Sequence, residues 1–487
     1  MGSEILSQSP DEMLKFSLLH PGAASVLTPR LGQLAVAGRK TIATPNYIPL
    51  TSRGVVSHVS HDVLRDSTSI SSMFIGLEDC ILSVIERQQQ PKKYRIPVPI
   101  YSVPTAPHES ALRKFIGAPD DHCLILGPRR EPSIACPSNN TPNSIAILTS
   151  VGYRQLEAAQ YVEAIQKLSP DIVIGLADLA MAGQEPGTKR RVKMVDRTHA
   201  FTTHATDQLY GINVPAADRS KAAYFAPILP LENTQQQIYL EDLETDLRGA
   251  VSGLALYQSD SLSIVPESLG ALPRLLISGP NTPHDILREV VLGADLLTIP
   301  FLSTASDSGI ALDFTLLPPS ATDGSNPSSA TQPLAIDLWS ASYTTDTSPL
   351  AEKCECYTCR NHHRAYLHHL LAAKEMLAWT LLQIHNHHTM DTFFAQIRES
   401  IQRGTFETDV ETFQQTYTTE FPQATGQGPR LRGYQLPAAG PYQPRRYPPA
   451  YGKLDLTAEK FAESQSSLAT PDTGADGLEE HGFAQKE

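Results

Sequence analysis

The sequence predicts an α/β protein: a (β/α)8 TIM barrel with an inserted zinc-binding helical subdomain and a disordered C-terminal tail. Three observations carry this expectation. Between about Thr41 and Phe314 short β-rich runs alternate with helix-patterned ones, the signature of βα units around a parallel sheet. Eight strand-like runs can be counted there, the number a closed barrel needs. Half of the six cysteines then fall within six residues, at Cys354, Cys356 and Cys359, ahead of a strongly helical stretch rich in histidine.

Residues 1–25 read as an N-terminal extension. Its opening, "MGSEILSQSPDEML", lacks the basic and apolar regions of a secretory signal. Residues 26–348 form the barrel body, with candidate strands "TIATPNYIPL", "VPIYSV", "SIAILT", "DIVIGLA", "AAYFAPIL", "GAVSGLAL", "RLLISG" and "DLLTIPF". The clearest local unit is "RLLISGPNTPHDILREVVLGADLL". Its strand ends at Gly279, Thr282 stands where an N-cap belongs, Pro283 takes the first helical position, and Gly293 closes the helix before Asp295. Its polar turn lies at a strand's C-terminal end, where barrels place their binding loops, although such a turn by itself says nothing of chemistry.

"PPSATDGSNPSSATQP" (318–333) reads as a flexible insertion, and residues 349–420 as the zinc-binding subdomain with its helices. From 421 to 487 the chain turns Pro-rich and basic-aromatic, then acidic and poor in aromatics, the composition of disorder.

A net charge of −13 disfavours a nonspecific nucleic-acid binder held by bulk electrostatics, while leaving room for local RNA contacts. No apolar run is long enough to span a bilayer, so the sequence reads as soluble and cytoplasmic. In a reducing compartment the cysteine cluster points to metal rather than disulfide. Three thiolates spaced C-x-C-x2-C can converge on one ion, but a structural zinc site is tetrahedral and needs a fourth ligand. The candidates are His362, His363, His368, His369, His385, His387 and His388. The first two lie so close to Cys359 that closing a tetrahedron with them strains the loop, although C-x2-H pairs exist and they stay a minor option. A helix from about Asn361 to Lys374, a break near Glu375–Leu377 and a second helix running back would return His385 to the thiolates. Four protein ligands leave no open position for water, so this zinc would be structural. Leu370, Leu371, Met376, Trp379 and Leu382 exceed what one hairpin face buries, and would pack on the barrel or form a subunit interface.

The cysteine spacing, followed by "TCRNHHRAYLHHLLAAKEML" and "IHNHH", closely resembles the zinc motif of the tRNA-guanine transglycosylases, including the distance to His385. "LPRLLISGPNTPHDILREVVLGADLL", "SGLAL" from Ser252 and "RKTIATPNYIPLTSRG" from Arg39 are similar to further passages of that family. The resemblance is strong over Leu272–Leu297 and Pro349–Thr405, and weak before Ala250. It implies a barrel with a zinc subdomain and a base exchange in which an aspartate attacks the ribose anomeric carbon. The family's G-x-D-x-F-D-C-V pattern meets Gly293-Ala294-Asp295-Leu296-Leu297-Thr298 here, so Thr298 stands at the nucleophile's position. The D-S-G-G-F-Q segment and the P-T-R arginine have no counterpart, and Asp178 in "GLADLA" corresponds to the base-recognising aspartate only by a loose alignment.

The resemblance therefore implies a non-catalytic accessory member of the family, with no catalytic residue of its own. It would pair with a catalytic queuine tRNA-ribosyltransferase subunit as a heterodimer, support guanine-to-queuine exchange at the wobble position of GUN-anticodon tRNAs, contact tRNA through the complex, and carry Zn2+ on Cys354, Cys356, Cys359 and His385. A homodimer, and peripheral placement at the mitochondrial outer membrane, are further implications. The rival is an independent base-exchange enzyme with a relocated nucleophile at Asp295, Asp307 or Asp313. Lys189–Lys193 ("KRRVK") and the arginines and tyrosines of 430–451 are candidate RNA contacts, weighed against a solvated loop and a Pro-rich strap over the protein's own surface.

Overall fold

Parallel pairing of short, almost wholly apolar strands organises the body of the protein. The computed structural model describes residues 13–19, 27–80, 99–106, 109–136, 139–149, 152–180, 185–317 and 331–429. The insertion up to residue 330 and the tail from residue 430 onward, including its arginines and tyrosines, lie outside the described residues. A three-stranded antiparallel sheet comes first, from β1 (Leu14–Leu18), β2 (Gly32–Val36) and β3 (Ile42–Thr44). The barrel begins with β4 (Asn46–Ile48), β5 (Ser72–Gly76) and β6 (Cys123–Gly127). After an antiparallel hairpin of β7 (Ser144–Thr149) and β8 (Gly152–Glu157), it continues with β9 (Ile172–Ile174), β10 (Ala223–Ile228), β11 (Gly253–Leu256), β12 (Arg274–Leu276) and β13 (Leu296–Thr298).

Hydrogen bonding runs in the order β4-β13-β12-β11-β10-β9-β6-β5, with every neighbour parallel. The two end strands meet through a parallel bridge between Leu50 and Phe74, where the Phe74 amide donates to Pro49 at 2.9 Å. Strand alternation divides the core in two. Ile48, Phe74, Ile125, Ile174, Phe225, Ala255, Leu275 and Leu296 fill the barrel, while Tyr47, Met73, Leu124, Val173, Tyr224, Leu254, Leu276 and Leu297 face the surrounding helices. Burial on both faces explains why these strands read as continuous apolar runs.

Two of the eight expected strands are replaced. "VPIYSV" contributes only a 3-10 turn, Pro99–Ser102, because Pro99 lacks the N–H an interior strand must donate. "SIAILT" is a strand, β7, but its partner is the adjacent β8 rather than the barrel. The ring takes β5 ("SMFIG") and β6 ("CLILG") instead; apolar runs this short carry no periodicity that separates strand from helix.

Helices α1 (Ala158–Leu168), α2 (Thr188–Tyr210), α3 (Asn233–Glu244), α4 (Pro283–Val291) and α5 (Pro300–Asp307) alternate with the later strands. At α4 the expected signals are present: Thr282 and Asp285 form a reciprocal capping box, Pro283 opens the helix, and Gly293 takes φ +92°, a conformation that favours glycine. The inner side of α4 carries Glu289, only 2% exposed. One of its carboxyl oxygens accepts from Ser259 Oγ at 3.1 Å, and burial pushes the group up to about 7. A carboxyl raised in the folded state binds its proton more tightly there than in the unfolded chain. Its contribution to stability is thus full below the unfolded value and lost as pH rises through about 7. Glu289→Gln is expected to raise stability at pH 8 relative to pH 5 by about 1–3 kcal/mol more than wild type, read from urea midpoints at the two pH values.

Beyond the barrel, β14 (Ile310–Leu312) pairs antiparallel with β15 (Ala335–Asp337). Four helices follow: α6 (Tyr357–Asn361), α7 (Arg364–Ala372), α8 (Met376–Arg403) and α9 (Phe406–Thr416). α7 is the first arm of the hairpin, within the expected span from about Asn361 to Lys374, and the short α6 precedes it, set off at His362 and His363. His363 caps α7 by accepting the Tyr366 amide at 3.2 Å, and the chain reverses at Lys374, where φ is +55°. Leu367, Leu370, Leu371, Trp379, Leu381 and Leu382 close a separate small core with Leu338 and Leu350. Met376 and Leu377 stay exposed at the tip, as does Tyr357 on α6.

Candidate metal centre and barrel mouth

The chain geometry around Cys354 follows from two short-range devices. Cys356 takes the N-cap position of α6, its sulfur accepting the Cys359 amide at 3.3 Å, which folds the C-x2-C segment onto one side. α8 then runs back past this loop and delivers His385. His385 Nδ1 lies 3.6 Å from Cys354 Sγ, 3.6 Å from Cys356 Sγ and 3.4 Å from Cys359 Sγ, and the four donor atoms all lie within 4.8 Å of one another. A tetrahedron with Zn–S about 2.3 Å and Zn–N about 2.0–2.1 Å has S···N edges of about 3.6 Å, so the donor set has the dimensions a tetrahedral ion requires. The other imidazole nitrogen, Nε2, donates to the Leu312 carbonyl at 2.8 Å, which fixes the tautomer and leaves Nδ1 free as a ligand.

None of the alternative histidines joins this group. His362 stacks on Tyr366, His363 caps α7, and His368 Nδ1 lies 2.8 Å from the Leu338 carbonyl. His387 is buried beside Tyr47, with its Nδ1 3.1 Å from the phenol oxygen, and burial pushes it down to about 3. Sequence reasoning missed Asn386. Its amide nitrogen donates to Ser306 Oγ at 2.8 Å and Ile310 O at 3.0 Å, and its oxygen accepts the Leu312 amide at 2.9 Å. These bonds set the register of α8 against β14 one residue from His385.

The barrel mouth, at the C-terminal ends of the strands, is built differently. Phe74, Ile174, Ile277 and Tyr257 close over the barrel axis and leave a cavity of about 30 Å3, room for water rather than a ring system. Thr298 ends β13, is fully buried, and its hydroxyl has no partner. It is not among the residues lining that cavity or the larger cleft beside it.

Asp178 follows β9 with its carboxylate inaccessible. Arg190 bridges both oxygens, Arg197 Nη1 donates at 2.9 Å, and Asn140 occupies the remaining direction. Burial alone would raise this carboxyl, but the bonds from Arg190, Asn140 and Arg197 hold it below the ordinary range. The "KRRVK" run is the first turn of α2: Arg190 is spent on Asp178, Arg191 lies 3.5 Å from Glu185, and Lys189 and Lys193 remain exposed.

The three carboxylates weighed as relocated nucleophiles sit elsewhere. Asp295 precedes β13, at the end of the barrel opposite the mouth, buried against Arg30; Arg30 Nε donates at 2.8 Å and the Arg274 amide at 2.8 Å. Asp307, at the end of α5, accepts from His58 at 2.6 Å. Asp313 lies past β14 in the neighbourhood of the metal cluster, its carboxyl raised by burial.

An eight-stranded parallel barrel whose C-terminal helices bring Cys354, Cys356, Cys359 and His385 within metal-binding distance of one another defines a barrel protein with a candidate Cys3His metal centre. The family model for queuine tRNA-ribosyltransferase matches residues 26–419. Among curated relatives, queuine tRNA-ribosyltransferase accessory subunit 2 of Schizosaccharomyces pombe is 34% identical over 425 residues, covering 86% of this chain and 89% of its own length. The proteins of the same name from Xenopus tropicalis and Drosophila mojavensis are 27% and 29% identical, covering 77% and 76% of this chain and 94% and 86% of their own lengths. The chain belongs to the queuine tRNA-ribosyltransferase family and, within it, to the group of accessory subunits.

Among the described residues no helix is long and apolar enough to cross a membrane.

Proposed function

We propose that this chain is the catalytically silent, zinc-bearing partner of a catalytic queuine tRNA-ribosyltransferase subunit. In this reading the two form a heterodimer that replaces guanine by queuine at the wobble position of GUN-anticodon tRNAs. The observation that carries it is Thr298. It stands at the position that the resemblance gives to the family's nucleophilic aspartate, and it is a neutral, fully buried hydroxyl with no hydrogen-bond partner that lines neither the mouth cavity nor the cleft beside it. Asp178, the loosely aligned counterpart of the base-recognising carboxylate, has its lone pairs taken by two arginines and an asparagine. The rival reading loses support on geometry, since Asp295 is at the wrong end of the barrel and Asp307 is engaged by His58.

Cys354, Cys356, Cys359 and His385 would hold one structural Zn2+, fixing α6 against α8. Tyr357 on α6 and Met376 and Leu377 at the start of α8 are exposed, and they suit the surface through which an accessory subunit buttresses its partner.

Base exchange on tRNA by the purified chain, alone and with its catalytic partner, tests the reading; turnover by the isolated chain would overturn it. A companion variant is informative. Thr298→Val removes a buried hydroxyl that bonds nothing, so the variant is expected to be as stable as wild type or up to about 1 kcal/mol more so, with the exchange rate of the complex unchanged. Loss of exchange in the Thr298→Val complex would assign the hydroxyl a chemical role.

A further inference from the structure

The hairpin of α7 and α8 is held at a second place besides the candidate metal centre, its tip. After α9 the chain is fastened to the barrel: the Thr418 amide donates to Gln332 O at 2.9 Å, His284 Nε2 lies 2.9 Å from Thr418 O, and Phe421 packs on Phe301 with ring centroids 5.2 Å apart. It then crosses to the end of β15. There one oxygen of Asp337 accepts the Trp339 amide at 3.1 Å, and the other accepts the amide and hydroxyl of Thr425 at 3.3 and 2.5 Å. Gly426 follows so close to the Trp339 ring that a Cβ in its place would overlap Cγ, Cδ2 and Cε2, so this approach demands glycine. The indole is itself fixed, its Nε1 donating to Ser308 O at 3.2 Å. Gln427 Oε1 then accepts from Lys374 Nζ at 2.8 Å. A Cβ at Gly428 would stand 3.0 Å from Asp307 O, the carbonyl that accepts Trp379 Nε1 at 3.3 Å.

These contacts converge on the turn between α7 and α8. Lys374 holds φ +55° there, in the left-handed region that a residue with a Cβ enters at a cost and keeps only where its surroundings fix it. Two residues further on, Met376 and Leu377 are exposed. Thr425, Gln427 and Gly428 are exposed too and few bonds hold them, the condition for local opening that spares the core. Because Thr418 and Phe421 stay fastened, reclosing is intramolecular.

We propose that residues 425–428 are a latch: seated on Trp339 and bonded to Lys374, they hold the hairpin turn and thereby set the orientation of Met376 and Leu377. Resting on the reading that this tip belongs to the surface meeting the catalytic partner, the proposal makes Thr425, Gly426 and Gln427 positioning residues for pairing, acting through the turn rather than through the metal ligands.

Two variants of the full-length chain test this in opposite directions. Gly426→Val cannot seat on Trp339, so acrylamide quenching of tryptophan fluorescence should rise about twofold; of the two tryptophans Trp339 is half-buried, while Trp379 is only 2% exposed. Amide exchange over 373–378 should quicken about tenfold and partner capture weaken about tenfold, with bound zinc unchanged. Gln427→Glu gives Lys374 a charged partner and should slow exchange at the turn about twofold at low salt, an effect lost in about 0.5 M salt. Quenching and exchange in Gly426→Val equal to wild type would overturn the latch, and a loosened turn with undiminished capture would overturn the positioning role. Quenching and exchange are read on the chain alone, so a wild-type chain that captures no partner would sink the docking reading while the latch stands or falls on its own two measurements.

Discussion

Replacing His385 with glutamine is expected to cut bound zinc from one per chain to near zero and to abolish capture of the catalytic partner, with most of the barrel's far-UV circular dichroism retained. Glutamine can still donate to the Leu312 carbonyl that now accepts from His385 Nε2 at 2.8 Å, so the substitution separates ligation from packing. The remaining three thiols cannot close a tetrahedron, and structural zinc in small domains supplies about 10–16 kcal/mol of apparent folding energy at neutral pH. The barrel core does not depend on that energy, because it is a separate cluster from the one around Trp379 and Leu382. The effect should therefore be local: faster amide exchange over 354–385 and early proteolysis near Lys374, with little change across β9–β13. Uniform loss of protection across the whole chain would contradict that division.

Asp295→Ala carries the second large expectation, a loss of about 3–5 kcal/mol in global stability. The substitution leaves the guanidiniums of Arg30 and Arg274 in a fully buried site with their shared counter-charge gone. Burial and the Arg30 charge already push Arg274 down to about 10 with Asp295 in place. Arg30 also donates to the Gly270 and Leu272 carbonyls, so the cluster ties the segment ahead of β2 to the base of β12 and β13. In the double variant with Arg30→Met, much of the loss should return, because an unpaired charge costs more than a missing pair. Urea midpoints of the single and double variants measure both. A catalytic Asp295 would instead give a stable chain with altered base exchange.

The residues that were legible in the sequence are those whose partners lie close along the chain. Cys354, Cys356 and Cys359 are within six residues, and His385 is connected to them by helices whose 1.5 Å rise makes its return predictable. The capping signals at Thr282, Pro283 and Gly293 are equally local. Strands β9 to β13 were visible because burial on both faces writes an apolar run, whereas β5 and β6 are five residues each and look like any short apolar stretch. Long-range pairs left no such trace. Arg30 and Asp295 are 265 positions apart, and the arginines that saturate Asp178 were visible as a basic run but not as its partners. The three-point grip of Asn386 had no local signal, since an asparagine within a helix is ordinarily a surface residue.

Native mass spectrometry of the chain co-expressed with its catalytic partner bears most directly on the proposal that a Cys3His chelate shapes the docking surface of a silent barrel. A one-to-one complex carrying one zinc on this chain, with both zinc and pairing absent in His385→Gln, is the expected spectrum. A folded, metal-free chain that still pairs, or a His385→Gln chain that keeps ion and partner alike, would contradict it.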